Sequence, residues 1–106
     1  MSSSSDSQTI SQNYAQFDKL FEHRTRLAIC ALLVRFKKIS FSRFKELLKE
    51  SDGNLGAQLR KLEDAAYINI SKEFVGRRPV SWYSITKSGK TALQAHVDGL
   101  EALLNC

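Results

Sequence analysis

The sequence predicts an α+β fold, mainly helical, in which a helix-turn-helix is followed by a β-hairpin and a further helix lies at each end. Three observations carry this. Apolar residues recur at spacings of three and four before residue 63 and again after residue 92, the signature of amphipathic helices. Between them the period changes to two in "INISKEF" and "SWYSIT", joined by "VGRRPV", as in a hairpin. The turn-forming "SDGN" divides two of the helical stretches.

The elements follow in order. Residues 1–12, opening "MSSSSDSQ", read as a disordered lead-in. They lack the basic and apolar regions of a secretory signal. The domain proper is expected over 13–106. A short helix near "QNYAQFDKLF" would place Tyr14, Phe17 and Phe21 on one face. "RTRLAICALLVRF" is apolar nearly all round and reads as a buried helix. After a short extended "KKISF", the helix "SRFKELLKE" has Ser42 as its expected N-cap and Phe44, Leu47 and Leu48 as its inner stripe.

The next helix, about 52–65, follows a cap at Ser51 or Asp52 and buries Leu55, Leu59 and Leu62. Arg60, Lys61, Ala57 and Asp64 then face outward, with Asn54 and Gln58 on one flank. In the hairpin, Tyr83 shares a face with Ile85 and is the core candidate, and Trp82 on the other face is expected to brace the ribbon. Thr86 reads as the N-cap of a last helix, about 87–104, with a stripe of Leu93, Val97, Leu100 and Leu104.

Length and charge bound the function. The chain of 106 residues suits one domain. No apolar run approaches the length of a membrane span, and the cytoplasm is the expected compartment. Of two cysteines, Cys30 lies in an apolar run and Cys106 is the last residue, so no disulfide is expected between them. The net charge is +5, but residues 23–90 hold fifteen Lys or Arg against six Asp or Glu, a local +9. A basic middle between mildly acidic ends suits a polyanion-binding surface.

A helix-turn-helix with a hairpin behind it makes a winged helix-turn-helix. The wing spans about 74–82, and Arg77 and Arg78 stand at its expected tip beside Pro79, the one proline. There they can reach phosphates or the minor groove of duplex DNA. Proline, which cannot donate to the ladder, belongs in a loop or at an edge.

The runs "FDKLFEHRTRLAICALL", "ISFSRFKELLKESDGNLGAQLRKLEDAAYI" and "KEFVGRRPVSWYSITKSGKTAL" resemble, in order and spacing, the small winged-helix transcriptional regulators related to the MarR and ArsR groups. The resemblance covers about residues 17–104 and implies prokaryotic regulators that bind DNA as homodimers. It would place Ser51–Lys61 in the major groove and Lys72, Arg77 and Arg78 on the wing. With Ser42 and Arg43 in the helix before, the DNA-contact candidates are then Ser42, Arg43, Ser51, Asn54, Ala57, Gln58, Arg60, Lys61, Lys72, Arg77 and Arg78. The sequence departs from the family where Ala66 stands, a position usually held by a glycine in a left-handed C-cap. Gly56 and Ala57 are also small where many such regulators carry longer polar residues, so base contacts are expected to be few and sequence specificity either lower or carried by DNA shape.

The dimer candidates are Tyr14, Phe17 and Phe21 near one end of the chain and Leu93, Val97, Leu100 and Leu104 at the other. One small domain has limited core for both sets, so pairing with a second copy is expected. The rival functions are weaker. His96 and Asp98 lie two apart on a helix and do not share a face, so no metal site is expected. His23 and Cys30 lack clustered ligands. No phosphate loop or nucleophile motif points to an enzyme or to a cofactor. The alternative from another class is a winged helix used as a protein-interaction module in a larger assembly. No small-molecule effector can be read from the sequence.

Overall fold

The computed structural model describes residues 3–105. Helix α1 (Ser3–Ala15) leads into a 3₁₀ turn (Lys19–Glu22) and helix α2 (Arg24–Phe36). Strand β1 (Ile39–Ser40), α3 (Phe41–Leu48) and α4 (Asp52–Asp64) follow, then β2 (Ile68–Val75), β3 (Arg78–Ile85) and α5 (Lys87–Leu104). The antiparallel sheet runs in the order β1-β3-β2, with Ile39 opposite Tyr83 and Ile68 opposite Ile85.

Local chemistry explains the boundaries. His23 caps α2 by accepting from the Thr25 amide through Nδ1. Ser40, not Ser42, caps α3 by accepting from the Arg43 amide, because the chain is still extended at Ser40 and already helical at Phe41. Ser51 caps α4 through the Asn54 amide, and Thr86 caps α5 through the Gly89 amide. The end of α4 is left-handed at Ala66, with φ 63°. The Ala66 amide donates to Glu63 O and the Tyr67 amide to Leu62 O, the bonding of a Schellman motif with alanine in the glycine position.

The core draws on every layer: Ile29, Cys30 and Leu33 of α2, Phe44 of α3, Leu55, Leu59 and Leu62 of α4, and Ile68 and Tyr83 of the sheet. Burial pushes the Cys30 thiol up to about 12, with the Asp18 charge adding to the effect. Cys106 lies outside the described residues. Helix α2 is not buried all round: Val34 and Phe36 are about half exposed. Leu47 of α3 is also exposed, leaving Phe44 and Leu48 to face the core.

The ends of the chain differ most from expectation. Helix begins at Ser3, where an unordered lead-in was expected over 1–12. Tyr14, Phe17 and Phe21 do not share a helix, because α1 stops at Ala15 and Asp18 caps a separate 3₁₀ turn. Phe21 is 3% exposed and Leu93 8% exposed, so both belong to the chain's own core, not to a free dimer face. Val97 packs at the margin of that core. Tyr14, Leu100 and Leu104 are exposed.

Helices α1 and α5 pack closely, since a Cβ on Gly99 would lie 2.6 Å from Asn13 O. His96 of α5 is committed inside the chain: Nδ1 accepts from the Asp18 amide at 3.0 Å, and its ring lies 5.3 Å from those of Phe17 and Phe21. The Tyr67 hydroxyl donates to Asp18 Oδ2. Burial, and then this bond to a carboxylate, push the Tyr67 phenol up to about 12.

Candidate nucleic-acid interface

The site is built on α4 and the hairpin. A polar chain fixes the start of α4. Glu50 accepts from the Thr25 hydroxyl at 3.2 Å and from Asn54 Nδ2 at 2.8 Å. Asn54 Oδ1 accepts from Gln58 Nε2 at 3.1 Å. Arg26 closes the chain, donating from Nη1 to Gln58 Oε1 at 2.7 Å and from Nε to Leu20 O at 2.6 Å. Two expected DNA contacts are thereby engaged inside the chain. Gln58 is 7% exposed and faces α2, and Asn54 is bonded on both sides. The spacing of four lines up Asn54 and Gln58 on one flank of α4, with Glu50 just before the Ser51 cap in reach of Asn54. That ladder was visible in the sequence. Its direction depends on Arg26 and Thr25, 24 or more residues away, which sequence reasoning missed.

The outward face of α4 exposes Gly53, Ala57, Arg60 and Lys61. A Cβ at Gly53 or Gly56 would meet nothing within 4 Å, so the fold itself does not demand glycine there. The face is smooth, with its long cations toward the C-terminal half. Asp52 at the first turn pairs with Lys45 of α3. Ser42 and Arg43 are exposed on α3, and Arg43 pairs with Glu46 at 2.9 Å. Exposed pairs of this kind are weak and open readily.

The wing is tighter than expected. Its loop is only Gly76 and Arg77, not the whole of "VGRRPV". Gly76 has φ 67°, and a positive φ at the first loop position alone is that of a type II′ hairpin turn. Arg78 therefore sits in β3 opposite Val75, and Pro79 opposite Phe74. Proline is tolerated because β1 pairs only with Tyr83 and Trp82, leaving β3 an edge strand at residue 79. The base of the ribbon is braced. Lys38 Nζ lies 5.0 Å from the Trp82 ring centroid and 3.0 Å from Glu73 Oε1. Ser40–Ser42 and Val75, Arg78–Ser81 line a shared groove between α3 and the wing. Among the described residues, Arg60, Lys61, Lys72, Arg77 and Arg78 form no ion pair.

Residues 25–104 match the family model of the winged helix DNA-binding domain. The chain belongs to that family. A winged helix of this sequence has a curated relative in Methanocaldococcus jannaschii, an uncharacterised protein 32% identical over 79 residues, covering 74% of this chain and 86% of the relative. The fold of this chain is similar to that of a transcriptional regulator homologue from Pyrococcus horikoshii, with TM-score 0.79, 22% identity, and 92% of this chain and 95% of that one covered. The YusO protein of Bacillus subtilis is also similar, with TM-score 0.73, 17% identity, and 95% and 74% covered. A zinc-responsive MarR family member of Lactococcus lactis shares the winged helix at TM-score 0.58 and 26% identity, over 76% of this chain and 55% of that one. These likenesses agree with the MarR-type resemblance of the sequence. Among the described residues, no cluster of His, Cys, Asp and Glu could hold a metal ion, and no helix is long and apolar enough to cross a membrane.

Proposed function

We propose that this winged helix binds duplex DNA as a homodimeric transcriptional regulator of the cytoplasm, with α4 in the major groove and the β2–β3 wing on the adjoining backbone. The observation that carries this is a group of exposed cations that form no ion pair among the described residues, Arg60 and Lys61 on α4 and Lys72, Arg77 and Arg78 on the wing. Cations with no carboxylate partner are free to replace the counterions of phosphates. Ser51, Ala57, Ser42 and Arg43 remain the other contacts, through short side chains, the α4 N-terminus and an ion pair that DNA can displace. Asn54 and Gln58 act instead by holding α4 against α2. With so few long side chains on the reading face, specificity rests on a small number of base contacts and on DNA shape.

Exposed Tyr14, Leu100 and Leu104, with half-buried Phe17 and Val97, offer an apolar face along α1 and α5. Two copies joined there as a two-fold dimer would present their α4 helices about 34 Å apart, one DNA turn. Binding selection from random duplex DNA, followed by titration at several salt concentrations, tests the proposal. Enrichment of a two-fold site, with affinity falling steeply with salt, is the expected result. The smooth surface at Gly53, Gly56 and Ala57 favours a second reading, an interaction module. Absence of binding to any duplex would select it.

A further inference from the structure

The wing carries an apolar element that the cations do not explain. Phe74 is 75% exposed and Val75 59% exposed, beside the two-residue tip. Alternation along β2 puts Ile68, Ile70, Lys72 and Phe74 on one face, with Pro79 directly across from Phe74. At its root this face packs on the core through Ile68 and Tyr83, which lies edge-on to Phe44 of α3. Farther out it overhangs the core. From Ser81 to Arg78 no β1 residue supports β3, an overhang of about 13 Å at the rise of a strand. Among the described residues no neighbour covers Phe74, and a phenylalanine left in water forgoes the stabilisation that burial would give.

We propose that Phe74, backed by Pro79, is a wedge that enters the minor groove of DNA and bends the duplex. The inference rests on the DNA-binding function proposed above and assigns the wing a second role beyond phosphate contact. Charge complementarity names the occupant. Lys72 shares the face of Phe74, Arg77 forms the tip and Arg78 stands opposite Val75 on the other face, so cations that form no ion pair among the described residues flank the apolar patch along and beyond the strand. A surface of copy-to-copy contact would not place several like charges around its centre. A two-stranded ribbon is too wide for a minor groove about 6 Å across, so only side chains can enter. Apolar wedges of this type unstack a base step and kink the duplex. The ribbon is held for such a task by the Lys38–Trp82 contact and Pro79.

The test compares the full chain with Phe74→Ser and Phe74→Leu on the duplex selected by the wild type. Bending is read by energy transfer between dyes at the two DNA ends, and affinity by titration across salt concentrations. Phe74→Ser is expected to lose about tenfold in affinity and most of the bend, with the slope of log K against log salt unchanged. Phe74→Leu should retain part of both. Trp82 fluorescence and a thermal melt check that the ribbon is intact. A Phe74→Ser protein that binds and bends as the wild type does would overturn the wedge and leave the DNA-binding function standing. The wedge is equally overturned if the substitution lowers self-association measured by light scattering without DNA. A wild type that binds no duplex would instead remove the function on which the wedge depends.

Discussion

Arg26 of α2 and Gln58 of α4 are joined by a 2.7 Å hydrogen bond from guanidinium Nη1 to amide Oε1. The same guanidinium holds Leu20 O through Nε. One arginine therefore ties the 3₁₀ turn, α2 and the helix proposed to enter DNA. The orientation of α4 is fixed by this partly buried polar link as well as by Leu55, Leu59 and Leu62.

Gln58→Ala should consequently act on stability before it acts on recognition. Arg26 and Asn54 would each lose a partner in a partly buried site. The expected loss is about 1–3 kcal/mol, measured by denaturant unfolding. Base preference in a selection experiment should be preserved. A shift in preferred sequence with unchanged stability would return Gln58 to the reading face.

Ala66→Gly should stabilise the domain. Residue 66 is left-handed, with φ 63°, which costs an L-residue roughly 1–2 kcal/mol. Glycine removes that cost but loses more freedom on folding, so a net gain of about 1 kcal/mol is expected. In a domain of this size that raises Tm by about 4–8 °C. A lower Tm would show that Ala66 is unstrained where it stands.

Arg77→Ala with Arg78→Ala should weaken DNA binding without unfolding the protein, since both residues are exposed and form no ion pair among the described residues. Loss of two phosphate contacts should flatten the slope of log K against log salt by about 2. An unchanged slope would remove both arginines from the phosphate contacts.

Leu93 and Leu100 lie seven residues apart on α5 yet should respond differently to glutamate. Leu93 is 8% exposed and packs in the core, whereas Leu100 is 46% exposed. Leu93→Glu should unfold the domain, because an unpaired carboxylate is forced into an apolar site. Leu100→Glu should keep the fold and divide the proposed dimer, seen as a halved mass by light scattering. A wild type already monomeric at tens of micromolar would defeat the dimer.

Gly99→Ala tests the α1–α5 contact. Alanine favours helix over glycine by about 1 kcal/mol, but its Cβ would lie 2.6 Å from Asn13 O, a backbone atom. Overpacking of this kind costs typically 1–3 kcal/mol, so destabilisation should win in a thermal melt. A higher Tm would mean that α1 is readily displaced from α5.

The order of elements was written in the sequence, because it depends on local signals. The change from helical to strand period placed the hairpin. Hydroxyls at Ser51 and Thr86 marked two helix starts that the structure keeps. The family resemblance marked residue 66 as a place where glycine is usual and alanine a departure, and left the shape of the helix end open; the structure keeps the left-handed geometry with alanine in it. Turn length was less legible: Gly76 and Arg77 alone suffice for the loop, because a glycine with positive φ closes a hairpin in two residues. Tertiary structure decided which neighbour covers each face. Periodicity puts Phe21 and Leu93 on apolar stripes, but only packing consigns them to the chain's own core and leaves Leu100 exposed. It lines up Asn54 and Gln58 on a flank, but only the approach of Arg26, and of Thr25 to the neighbouring Glu50, turns that flank inward. Polar "MSSSSDSQ" carries no signal for the helix that begins at Ser3, whose later turns gain their partner in α5. Local spacing fixes the pattern of a face, whereas its burial is a property of contacts between segments far apart in the chain.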